Sequence, residues 1–114
     1  MRRFGKTQEA LDWLRRNKNP GALGFNVLRT TGNAIRLVKD LYAAGAQKVH
    51  VADIMDHPSD IAEYGGPSAN TLLVKPPPDN RNWRAFVTVL ATLDADEVHL
   101  IAGKTGPFFR VWWD

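Results

Sequence analysis

Five short segments of this chain set apolar side chains at alternate positions, and two longer segments between them set apolar side chains at helical spacing. Leu23, Phe25 and Val27 alternate within 22–29, Val49 and Val51 within 48–54, and the pattern recurs in 71–75, 97–102 and 108–113. Such alternation marks a strand buried on one side. Between the first and second of these, Thr30-Thr31-Gly32-Asn33 offers capping oxygens, and Ile35, Val38, Leu41 and Tyr42 then recur at helical spacing up to Gly45. Between the third and fourth, prolines 76–78 stop the strand, Asp79 or Asn80 caps a helix, and Trp83, Phe86, Val87 and Leu90 share one face of it. Ahead of all these lies a short basic helix. Thr7 is its expected N-cap, Ala10, Leu11 and Leu14 form its apolar stripe, and 17–21 ends it.

This order predicts an α+β fold. It contains the split β-α-β-β-α-β unit of ferredoxin-like folds, an antiparallel sheet with two helices on one face, plus an added N-terminal helix and C-terminal strand. With 114 residues, 44% of them hydrophobic, 1–114 is expected to form a single α+β domain that needs neither disulfides nor a structural metal. Segments 22–29 and 71–75 would be the central strands. The helix-covered face would then carry Leu23, Phe25, Val27, Val49, Val51, Leu72, Val74, Val98 and Leu100. The other face would carry Asn26, Leu28, His50, Ile54, Thr71, Leu73, His99 and Ile101, which is too apolar to leave in water without a reason. The first helix, a partner subunit or a ligand must cover it.

Several classes of function are excluded or disfavoured. With no cysteine, the chain has no disulfide, no thiolate nucleophile and no cysteine zinc site. No apolar run approaches the ~18 residues of a membrane span, and Met1 to Lys6 lead into a charged stretch rather than a signal core, so no membrane association and a cytoplasmic location are expected. Charge is uneven: residues 1–48 hold ten Lys or Arg against three acids, and 49–114 hold five against nine. A basic half suits a polyanion, but within one compact domain the two halves intermix and much of the charge pairs or is solvated.

The candidate chemical groups are weak as catalytic sets. His50 and His99 would sit on opposite edges, about 14 Å apart, too far to share one metal ion. Asp53, Asp56, His57, Asp60 and Glu63 fall in a stretch without Lys or Arg and could offer oxygen ligands to a hard cation, but Pro58 interrupts any continuous helix and a solvated acidic loop that pairs with the basic first helix is the favoured explanation. Gly103-Lys104-Thr105-Gly106 lacks the glycine a phosphate loop needs at position 98, which is valine, and is expected to be a hairpin turn. Arg29, Thr30, Thr31, Gly32 and Asn33 form the candidate ligand-binding loop, because a strand passing through small residues into a helix aims backbone N–H groups at an anion. By fold analogy, ACT-type regulatory domains bind effectors near such a loop; plain capping accounts for the same residues.

The aromatic residues point to contact rather than chemistry. Sheets of the RRM type read nucleic acid with rings on their central strands, whereas the expected central strands here offer Asn26, Leu28, Thr71 and Leu73. Trp112 and Trp113 are adjacent in a strand and so point to opposite sides. No nucleophile with a base, metal set or cofactor fingerprint emerges. The expected function is therefore a non-enzymatic interaction module without a cofactor, binding a protein partner or a second copy of itself through Leu28, Leu73, Trp112 and Trp113. A small-molecule or anion sensor built on 29–33 is the first alternative. A nucleic-acid partner gripped by Arg2, Arg3, Lys6, Arg15, Arg16 and Lys18 is the less favoured one.

Overall fold

The computed structural model describes residues 6–114. Strand β1 (Gln8–Glu9) runs directly into helix α1 (Ala10–Arg16), whose cap is Glu9 rather than Thr7: its carboxylate accepts from the backbone N–H groups of Leu11 and Asp12. A four-residue helix α2 (Phe25–Leu28) follows, then α3 (Thr31–Ala43), strand β2 (Lys48–Ala52), helix α4 (Pro58–Tyr64), and strand β3 (Thr71–Lys75). A 3-10 turn, Asn80–Asn82, leads into α5 (Trp83–Ala91), and strands β4 (Glu97–Gly103) and β5 (Gly106–Trp112) form a hairpin.

Among the described residues the sheet is antiparallel and five-stranded, in the order β1-β2-β3-β5-β4. The α+β class stands, but this is not the expected ferredoxin-like strand order, and the segment 22–29 explains the difference. It is no strand. Leu23 makes a single bridge to Ala69, after which Gly24 turns at φ +54° and its carbonyl accepts from the N–H groups of Val27 and Leu28. Leu23 and Val27 of the alternating set also satisfy an i, i+4 spacing: Leu23 is buried and Val27 half-buried, Leu28 next to it is buried, and Phe25 is exposed. With that place in the sheet vacant, β5 fills the position between β3 and β4. The C-terminal strand is thus an interior strand, and its edges are both occupied.

One core lies between the sheet and its helices. Ala10, Trp13 and Leu14 of α1, Ala34, Val38 and Leu41 of α3, and Phe86 and Leu90 of α5 meet Val49, Val51, Leu72, Val74 and Val111 of the sheet. Trp83 and Phe86 both lie against Phe109, with ring centroids 5.7 and 5.8 Å away. No described helix is long and apolar enough to cross a membrane.

The edge of this core holds a titrating pair. The Tyr42 hydroxyl donates to Glu9 Oε2 at 2.6 Å. Burial and that bond push the phenol up to about 12. Burial alone would raise the Glu9 carboxyl, but the Tyr42 hydroxyl and the N–H groups of Asp12 and Leu11 outweigh it and hold the group below its ordinary value. An unfolded tyrosine titrates at about 10, so the stabilisation from Tyr42 is complete below that pH and is lost as pH rises toward 12. Thermal midpoints should therefore fall through this alkaline window in the native protein and fall less in Tyr42→Phe; parallel curves would show that Tyr42 is not responsible.

Candidate functional site

Because side chains alternate across a strand, the face turned away from α1, α3 and α5 follows from the register. His50, Leu73, Arg110 and His99 form one row across β2, β3, β5 and β4. Thr71, Trp112 and Glu97 form the row on one side of it; Lys48 with Lys75, and Phe108 with Ile101, lie on the other. Leu73, Ile101, Phe108 and Trp112 are half-buried, yet among the described residues none of them packs against the core cluster. They constitute a second apolar surface.

At its centre sits Arg110, only 8% exposed. Its Nε is buried and has no acceptor among the described residues. A buried donor left unmade costs about 1–3 kcal/mol, and more when it is charged. Neighbouring polar groups have other partners: His99 Nε2 lies 2.8 Å from Glu97 Oε1, and His50 Nδ1 lies 3.2 Å from Thr7 Oγ1. Lys48 stands directly across from Lys75, and like charges so placed repel.

The proposed interface residues separate into two groups. Leu73 and Trp112 share this face, whereas Leu28 (5% exposed) and Trp113 (0%) belong to the core. The Trp113 ring lies beneath Gly24, and its Nε1 donates to the Leu93 carbonyl at 2.9 Å. The loop 29–33 is largely engaged in capping: Thr30 Oγ1 accepts from Asn33 N, Thr31 Oγ1 donates to the Asn19 carbonyl and accepts from Ala22 N, and Asn33 Nδ2 donates to the Leu28 carbonyl. The N–H groups of Thr30 and Thr31 bond to the carbonyls of Leu28 and Pro20, and Arg29 adopts φ +69°.

In the acidic connection, His57 caps α4 by accepting from Ser59 N. Among the described residues no group of three or more His, Asp or Glu is placed to hold a metal ion. Arg2 and Arg3 lie outside the described residues, and Arg16 is engaged with Gln8 Oε1 and the Asp12 carbonyl. Arg110 and Phe108 are not singled out by the sequence, because 108–113 is added to the split unit without a place in the strand order; the alternation Phe108, Arg110, Trp112 is the available signal.

A further exposed feature lies at the β4 edge. Val98 and Leu100 point to the helix side, opposite Val111 and Phe109, yet are 43% and 55% exposed, because α5 covers β5 and stops short of β4. Val87, 44% exposed, is one turn beyond Trp83 on α5. Neither a family model, nor a curated protein, nor a solved structure matches the chain, and geometry alone carries its functional interpretation.

Proposed function

We propose that this protein is a non-enzymatic interaction module that joins a second copy of itself edge to edge along β4. The observation that supports this is a seven-residue strand with one edge unpaired among the described residues and apolar side chains left uncovered beside it. The hairpin closes through Gly103 opposite Gly106, and Pro107, which has no N–H, stands opposite Ala102. Val98, Leu100 and Ala102 therefore aim their backbone groups outward, away from β5. Antiparallel pairing about Leu100 sets Val98 against the partner's Ala102 and satisfies all these groups at once. Glu97 then falls opposite a glycine, so no like charges meet. On the helix side Val87, Val98 and Leu100 of both copies close over one another, as an isologous contact requires.

Light scattering on fractionated protein over a concentration series is expected to show the mass rising to that of a dimer, with the amides of Val98, Leu100 and Ala102 becoming protected from hydrogen exchange. Leu100→Lys, which places a charge at the two-fold axis, should return the protein to a monomer without moving its thermal midpoint by more than a few degrees. A native protein that stays monomeric at the highest concentration, or an unprotected β4, rules out the proposal. Protection only after another protein is added would indicate a different partner.

A further inference from the structure

From the opposite face of the sheet, we infer that the protein binds single-stranded nucleic acid, with a phosphate on Arg110 and a base on Trp112. A guanidinium that is nine-tenths buried, with an Nε that has no acceptor among the described residues, is a donor awaiting an anion. The one carboxylate in the neighbouring row, Glu97, is taken up by His99. A phosphate matches the planar fork of arginine and would satisfy the buried nitrogen. Lys48 and Lys75, forced together across β2 and β3, extend the positive track from Arg110, and their mutual repulsion is relieved by a polyanion. Trp112 lies two residues from Arg110 on the same face, about 6.6 Å along the strand, and offers an indole on which any base can stack. An isolated carboxylate or phosphate would use Arg110 alone. The ring and the lysine pair together favour a strand of nucleotides.

The test is fluorescence anisotropy of a labelled oligothymidylate at low salt, using the full chain. The native protein should bind with a log affinity that falls with log salt at a slope of about −2, as three phosphate contacts on a single strand require. Lys48→Gln with Lys75→Gln should lower the magnitude of that slope by about 1.4, and Trp112→Leu should weaken binding about fivefold or more. Arg110→Met should weaken it about tenfold or more while leaving the thermal midpoint unchanged or higher, since a residue retained for structure would lower it. If Arg110→Met fails to fold, the lysine and tryptophan variants decide, because none of their positions is in the core. Absence of binding overturns the inference, as does binding that the Trp112 and lysine variants leave intact. Loss of binding confined to Arg15→Glu with Arg16→Glu overturns it too. Equal affinity for polyglutamate, or for a mononucleotide, would likewise exclude a nucleic-acid strand as the ligand.

Discussion

Trp113→Ala is expected to lower the free energy of unfolding by about 3–5 kcal/mol, the range for emptying a large aromatic site in a core. The indole is fully buried, the largest such side chain among the described residues, and its Nε1 bond to the Leu93 carbonyl disappears with it. Its neighbour provides the control. Trp112 is half-buried on the other face, and Trp112→Ala should cost roughly 1 kcal/mol. Urea denaturation with unchanged m-values measures both. Equal costs would mean that the two indoles do not divide between core and surface.

The second large effect concerns what holds that indole from above. Gly24→Ala is expected to cost about 2–4 kcal/mol, because alanine is strained at φ +54° and its Cβ would stand 2.9 Å from Trp113 Cδ2. Gly32→Ala is the matched comparison. There the nearest atom is Thr30 Oγ1 at 3.8 Å and the backbone is that of a helical first turn, so alanine should be neutral or stabilise by about 0.5–1 kcal/mol. Because the Gly24 and Trp113 sites touch, combining Gly24→Ala with Trp113→Leu should cost less than the two changes added together. Additive costs would show that the ring and the glycine do not press on each other.

Much of the architecture could be read from periodicity. The alternation in 48–54, 71–75, 97–102 and 108–113 corresponds to β2, β3, β4 and β5, and the helical spacing to α3 and α5. The failure at 22–29 was physical: eight residues of alternation also fit an i, i+4 turn, and only tertiary contact decides between them. Gly24 against the Trp113 ring and the single bridge of Leu23 to Ala69 made that decision. Losing one strand then changed every neighbour. Adjacent tryptophans in a strand must point to opposite sides, but which one enters the core is set by Trp112 standing opposite Thr71, a register no local pattern encodes. Leu73 was legible as a residue of the face turned away from the helices, whereas Trp112 and Trp113 could not be told apart, and Arg110 became central only once β5 was placed beside β3. The exposed apolar side of β4 depends on where α5 ends over the sheet, and that too is a matter of packing.

The place of β5 between two strands that precede it has a consequence for how the chain is made. Thr71 and Trp112 are partners across a long stretch of sequence, so β3 emerges from the ribosome and waits with a bare flank until the hairpin arrives to cover it. Nascent chains stalled before residue 106 should therefore be sticky and protease-sensitive, and the sheet should close in one late step, hairpin first and docking second.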